Sequence, residues 1–374
     1  PLAGKSLMQI KKCVLVGTGG IADSHVKAVK SQADRLKLVA AMDVDQEKGR
    51  AFCKEQGIQR CYGDFSRMLE EEAPDLVQIA VPPQFHCDLA VQSLEAGAWV
   101  FCEKPLCASL AELDRIEAAE EGTGRFCASI FQMRYGPSNR HVKSVIDSGR
   151  LGRMLVGVCH TLWYRDDAYY EVPWRGTWET ELGGPAMGHG IHAMDQFLEL
   201  MGDWEEVSAM AGTLDRKIEV EDTSMALVRF SSGAMGSIIN SVLSPRQTSH
   251  IRLDLQKATI ELNHLYHFNK DDWRITPAPE QEDSEGVVEL ARWPEDAEVS
   301  HGIQLGAILD DMEAGRRPLT SGPGARETLS FIAALYKSVF TGELVRKGSI
   351  LPGDPFYEGM NGGRNRLPDA YVVN

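Results

Sequence analysis

From Ile10 onward, short apolar runs alternate with stretches whose apolar residues recur every three or four positions. The run Cys13-Val14-Leu15-Val16 ends in glycines, and a helix-compatible stretch follows to Lys30. Residues 36–42 form the next apolar run. Residues 46–56 read as a helix stopped at Gly57, 75–81 as a strand stopped by Pro82-Pro83, and 86–96 as a helix stopped by Gly97. Trp99-Val100-Phe101-Cys102 is a further strand, with a helix from Ser109 to about Glu121. Strands alternating with helices predict βαβ units, and hence a doubly wound parallel sheet of Rossmann type with right-handed crossovers.

Past residue 135 the pattern changes. One helix, 138–148, ends at Gly149, and longer strands with period-two alternation follow at 153–164, 207–213, 223–230 and 234–243. The tight turn Ser231-Ser232-Gly233 joins the last two, and 251–255 and 258–262 continue the set. This predicts an open, mostly antiparallel β-sheet with helices, residues 182–201 forming a helical insertion. Residues 302–313 and 326–340 read as amphipathic helices that pack back on the first half. The expected fold class is α/β followed by α+β, with domains over 8–133 and 134–350 and a Gly-, Pro- and Asn-rich tail over 351–374. Two domains suit 374 residues at about 150 per domain.

Composition narrows the partners. With 43% hydrophobic and 25% charged residues the chain reads as globular and soluble. A net charge of −15 argues against nucleic acid and against an anionic membrane, both of which need a clustered basic face. No run is long and apolar enough to span a bilayer. The eight cysteines include no C-x-x-C pair and suit reduced thiols in the cytoplasm. Pro1 to Leu7 is polar and reads as foreign to the natural chain, with Met8 the expected start.

The first candidate chemistry lies between the first strand and the first helix, in Gly17-x-Gly19-x-x-Ala22. Gly17 permits the tight turn, Gly19 lets backbone approach a pyrophosphate, and small Ala22 lets helix and strand pack closely. Gly20 and Ile21 lead into the helix N-terminus, whose free N–H groups and dipole favour phosphate. Asp43 ends the second strand, where a carboxylate can bond both ribose hydroxyls and repel a 2′-phosphate. The cofactor expected is therefore NAD rather than NADP.

At Cys102-Glu103-Lys104-Pro105 the sequence resembles the Gfo/Idh/MocA family of sugar and polyol dehydrogenases, and the resemblance covers nearly the whole chain. It is carried by the glycine loop, Ala80-Val81-Pro82-Pro83-Gln84-Phe85-His86, Ala96-Gly97-Ala98-Trp99-Val100, the Glu-Lys-Pro triplet, Gln132-x-Arg134-Tyr135, and the segment from Gly183-Gly184 to Gly190-x-His192-x-x-Asp195. The resemblance implies that Pro82, His86 and Glu103 flank the cofactor and that Lys104 reaches the substrate beside the nicotinamide. It implies a cis Lys104-Pro105 bond, a hydrogen bond from His192 to the reacting hydroxyl, and a homo-oligomer, dimer or tetramer, formed through the open sheet. Independently, Lys104 sits just past a parallel strand's C-terminal end, where such sheets bind ligands. A cationic nicotinamide nearby would lower its pKa and suit it to proton transfer. The family commonly carries an Asp four residues before the catalytic histidine; here that position is Gly188. His189, on the same helical face as His192, is expected to substitute. No Cys or Glu completes a ligand set with these two histidines, so no metal is expected.

Trp163-Tyr164-Arg165 ends the first long strand of the second half, and Trp174-Arg175-Gly176-Thr177-Trp178 follows on a loop. Aromatic faces stack on sugar rings and Arg forks bond vicinal hydroxyls or an acid group. Tyr164, Trp174, Arg175 and Arg134 are therefore the expected substrate contacts, with Arg246 and His250 weaker candidates. Together the arginines would admit an acidic sugar. The expected activity is NAD-dependent oxidation of a secondary hydroxyl of a sugar, polyol or glycoside. The alternative is NAD-dependent glycoside cleavage by transient oxidation, elimination and re-reduction, in which His189 would serve a second acid/base step. A non-catalytic sensor using the same fold is disfavoured by the presence of Lys104 and His192.

Overall fold

The computed structural model describes residues 10–295 and 297–368. The expected start at Met8 and residues 369–374 of the tail lie outside them. Strands β1 (Lys11–Val16), β2 (Leu36–Met42), β3 (Arg60–Tyr62), β4 (Leu76–Ile79), β5 (Trp99–Cys102) and β6 (Cys127–Ser129) pair in parallel in the order β3-β2-β1-β4-β5-β6. Helices α1 (Ala22–Lys30), α2 (Gln46–Gln56), α3 (Phe65–Glu72), α4 (His86–Glu95) and α5 (Leu110–Thr123) connect them. Local chemistry sets the helix starts: Asp45 accepts the N–H groups of Glu47 and Lys48, and Ser109 accepts that of Glu112. The strand order reverses between β1 and β4, and a crevice opens there at the C-terminal strand ends. β3, α3 and β6 were not anticipated; the two strands have three residues each, too few to show a period.

The second half begins with α6 (Pro137–Asp147) and β7 (Met154–Tyr164), then α7 (Pro185–Gly188) and α8 (Ile191–Met201). Strands β8 (Trp204–Gly212), β9 (Thr223–Phe230), β10 (Met235–Ser241), β11 (Leu243–Leu255), β12 (Ala258–His264) and β13 (Trp273–Pro277) follow. After α9 (Glu285–Leu290), α10 (His301–Ala314) and α11 (Pro323–Thr341) come β14 (Val345–Arg346) and α12 (Pro355–Glu358). The sheet runs β13-β12-β11-β7-β10-β9-β8-β14 and is antiparallel except for β7 beside β10. That parallel pair arises because residues 165–203 carry the chain away before the β8–β10 meander returns to β7. In β9 the alternation is strict: Ser224, Ala226, Val228 and Phe230 face inward, Met225, Leu227 and Arg229 outward.

The expected helix over 182–201 is broken in two between Gly188 and Ile191. A Cβ at Gly190 would lie 1.9 Å from Oδ1 of buried Asn240 on β10, so any larger residue there would displace that amide. The C-terminal helices return to the first sheet. Leu305, Ile308 and Leu309 of α10 bury against Cys13, Val29, Leu36 and Trp99, and Arg326 of α11 pairs with Asp114 and Glu117 of α5.

Candidate active site

At one end of the crevice, five residues join β1 to α1. Gly17 has φ +94°, and a Cβ there would lie 2.5 Å from Ala80 O and 2.8 Å from Val81 Cγ1, so this position accepts only glycine. A Cβ at Gly19 or Gly20 would meet nothing within 4 Å. Both therefore face open space, where a phosphate can come close to the backbone. No side chain caps the N-terminus of α1, which leaves its N–H groups and dipole for an anion. Asp43 stands one residue past β2. Thr18 donates to its Oδ2 from N–H (2.9 Å) and from Oγ1 (2.5 Å), and the Asp45 N–H donates to Oδ1 at 3.0 Å. Burial opposes ionisation, but the Thr18 and Asp45 bonds, with Lys48 nearby, outweigh it and hold the Asp43 carboxyl below its ordinary value. An anion cradle followed by a fixed carboxylate is the donor and acceptor set that a dinucleotide's pyrophosphate and ribose require.

The same cavity, of about 850 Å³, runs from Gly17 to Lys104, His189 and His192. Lys104 stands two residues past β5, the Lys104-Pro105 bond is cis, and Nζ donates to Gly188 O at 2.6 Å. Burial pulls the ammonium below the usual lysine value, opposed by Glu103 and Glu181 and aided by Arg175. Beneath it, Glu103 Oε1 lies 3.3 Å from His25 Nε2 and 3.1 Å from His301 Nε2. Burial opposes this carboxylate's charge, but the two imidazoles hold it well below the ordinary range and tie α1, β5 and α10 together.

His192 and His189 differ sharply. Both ring nitrogens of His192 are buried without a hydrogen-bond partner, and burial with Lys104 nearby holds the ring neutral. A buried imidazole lacking both partners is uncommon, and this one lines the cavity, ready for a ligand hydroxyl. His189 Nε2 instead accepts from Arg165 Nε and Tyr169 Oη, each at 3.2 Å. Burial first, then Arg165 and Lys104, keep it neutral. Its Nε2 lone pair is shared between two neighbours, and only its Nδ1 is buried without a partner.

Of the residues predicted from sequence, the cavity brings together Gly17, Gly19, Gly20, Ile21, Asp43, Pro82, Glu103, Lys104, Trp174, Arg175, His189 and His192. Five others lie elsewhere. Arg134 does not face the cavity: its guanidinium grips buried Asp195 through Nε (2.6 Å) and Nη2 (2.5 Å), and Thr328 bonds the same carboxylate. The expected substrate contact is thus an internal ion pair, and Asp195 answers Arg134. Tyr164 is 41% exposed with Arg216 over its ring, outside the cavity lining. His86 is fully buried, its nitrogens 2.7 Å from Pro105 O and 2.8 Å from Val81 O, so it ties together two loops that line the cleft without lining it. Arg246 and His250 lie in a separate shallow depression on the second sheet. Arg165, Tyr169, Glu181 and Tyr266 line the cavity and were missed. The length and aromatic content of the 165–184 loop was the available signal; nothing in the sequence separates Glu181 from Glu179.

Residues 11–131 match an oxidoreductase family with an NAD-binding Rossmann fold, and residues 139–261 match the GFO/IDH/MocA C-terminal domain. D-apiose dehydrogenase of Paraburkholderia graminis is 25% identical over 383 residues, 95% of this chain and 94% of that protein. Inositol 2-dehydrogenase of Salmonella paratyphi B is 30% identical over 147 residues; the match spans 39% of this chain and only 44% of that protein's length. Among solved structures, the WlbA dehydrogenase from Bordetella pertussis, in complex with NADH and UDP-GlcNAcA, is similar with a TM-score of 0.80 at 27% identity, over 90% of this chain and 99% of that one.

Proposed function

This chain belongs to the Gfo/Idh/MocA family of NAD-binding oxidoreductases, and from that premise we propose that it oxidises a secondary hydroxyl of a sugar or polyol, with Lys104 taking the proton and His192 holding the oxygen. The observation that carries this reading is the pairing, in one cavity with the Gly17–Ile21 loop, of a partly buried amine and an imidazole with two free nitrogens.

The loop, the α1 N-terminus and Asp43 bind and orient NAD, which when bound supplies the hydride acceptor. Lys104, anchored through Gly188 O, accepts the hydroxyl proton at Nζ when neutral, a form that burial favours. Neutral His192 donates or accepts one hydrogen bond at the same oxygen and fixes which hydroxyl faces Lys104. Pro82, Pro83 and Leu89 exclude water from one side. Trp174 and Arg175, with Arg175 4.3 Å above the Trp174 ring, give a face for stacking and a fork for hydroxyls.

An acidic sugar is favoured within this class by Arg165. Its guanidinium is flanked by the rings of Trp163 (5.1 Å) and Tyr169 (5.2 Å) and, among the described residues, pairs with no carboxylate, whereas Arg175 has Glu181. A substrate carboxylate would complete it.

A second copy of this chain is the partner proposed for the outer face of the second sheet, where Met210, Met225, Leu227 and Met235 are each more than two-fifths exposed. Sedimentation at micromolar concentration should give a dimer or tetramer, and a monomer would refute it. The unpaired cysteines fit the cytoplasm.

A panel of sugars, sugar acids and glycosides, followed for NADH absorbance and released product together, tests the activity. Net NADH on a free sugar supports the reading. Release of an aglycone without net NADH would replace it with glycoside cleavage.

A further inference from the structure

Glu181 lies on the irregular loop before α7, is 5% exposed, and lines the cavity. Its Oε2 accepts the Gly176 N–H at 2.6 Å and its Oε1 the Arg175 Nη1 at 3.2 Å. The carboxylate also fills a particular gap. A Cβ built on Gly188 would meet, within 4 Å, only Glu181 Oε1, at 3.7 Å. Gly188 is the residue whose carbonyl holds Lys104 Nζ. The acid therefore stands across the bare face of the residue that anchors the amine. Burial leaves the Glu181 carboxyl above its ordinary value, opposed by the Gly176 N–H, Arg175 and Lys104, and each of the two charges favours the other's ionised form.

We propose that Glu181 is the positioning counter-charge of Lys104, stabilising the ammonium that forms when Nζ takes the substrate proton. The inference rests on the reading of Lys104 as proton acceptor. In the step the hydroxyl O–H bond breaks and an N–H bond forms at Nζ, while the carbon gives hydride to bound NAD⁺. Positive charge gathers on Lys104 in a buried setting, where an uncompensated ammonium is costly. Glu103 faces Lys104 from the turn after β5, Arg175 from the loop, and His189 and His192 from the α7–α8 segment. Glu103, held by two histidines, gives the larger of the two favourable fields at Lys104, Arg175 works against the charge, and Glu181 adds the second favourable field from the opposite side of Gly188.

The proton affinity of Lys104 can be read without any sugar. Reductive ¹³C-methylation followed by NMR titration reports each lysine, and Lys104→Arg identifies the Lys104 signal. Glu181→Gln should lower the Lys104 value by about 1 unit or more. Adding Gly188→Asp to Glu181→Gln, which returns a carboxylate to the same space, should restore most of that shift. A purely structural Glu181 would show no such rescue. If Glu181→Gln does not fold, Glu181→Ala with Gly188→Asp carries the test: a near-wild-type Lys104 supports the proposal and a lowered one overturns it. An unshifted Lys104 in Glu181→Gln also overturns it. On a sugar that reduces NAD, Glu181→Gln should lower kcat about tenfold, with a smaller rise in KM from the loosened Arg175. Failure here, with Lys104→Met inactive, would refute Glu181 alone; an active Lys104→Met would refute the reading beneath it.

Discussion

The wall of the cleft that faces the dinucleotide is made of backbone, and the wall across from it is made of side chains that grip one another. In the first, a glycine turn, a helix N-terminus and one carboxylate fed by Thr18 and Asp45 offer the groups that the proposed reading assigns to the dinucleotide. Each is set by residues close to a strand end. In the second, Arg165 is wedged between Trp163 and Tyr169 and bonded to His189, while Arg175 stacks on Trp174 and Tyr169 and bonds Glu181. Such a wall is sensitive at every side chain, whereas the backbone wall tolerates most changes except a Cβ where the chain has no room. Two histidines three residues apart show the same contrast: His189 belongs to the gripping network and His192 is left free by it.

The largest expected effect separates scaffold from wall. Arg134→Ala strands buried Asp195 and should cost about 3–5 kcal/mol in urea unfolding. A stable variant with a raised KM would return Arg134 to the substrate side. Next, His192→Asn should lower kcat about 100-fold with NAD affinity intact, while His189→Asn should mainly raise KM by loosening Arg165 and Tyr169. Equal kcat losses would erase the distinction between them. On the backbone wall, Gly17→Ala should cost about 1–3 kcal/mol from strained φ and collision with Ala80 O. Gly20→Ala should keep the fold near wild type yet weaken NAD binding, seen by thermal shift with and without NAD. The smallest effect is electrostatic. Asp43 has a folded pKa below its ordinary 3.8, so its contribution is complete above about pH 4 and fades as pH falls through the folded value. Asp43→Asn should lower stability by about 1 kcal/mol at neutral pH, flatten the acid limb of the stability profile, and narrow the preference for NAD over NADP.

The two walls were unequally legible. Residues Gly17 to Ala22, Asp43 and Lys104 could be placed at the cleft because a strand followed by a helix fixes where their termini point. The hairpin at Ser231-Ser232-Gly233 was readable for a similar reason: its pairing is local, with β9 and β10 in register from Met235 opposite Arg229 to Ser241 opposite Thr223. Arg134 was misplaced because a buried arginine looks identical in sequence to a ligand-binding one until its partner, 61 residues away, is known. Arg165 and Glu181 were missed because their orientation depends on residues from several segments, with no period to announce them. Gly188 drew notice as a missing carboxylate, but the acid that stands over it comes from seven residues earlier on a loop of no regular structure.

The most direct test of the central claim is the rate of NAD reduction by wild type and Lys104→Met on the same sugar, with NAD affinity measured in parallel. The account predicts that Lys104→Met loses about 10³-fold in kcat while binding NAD as wild type does. Unchanged turnover in Lys104→Met, with NAD bound normally, would contradict it.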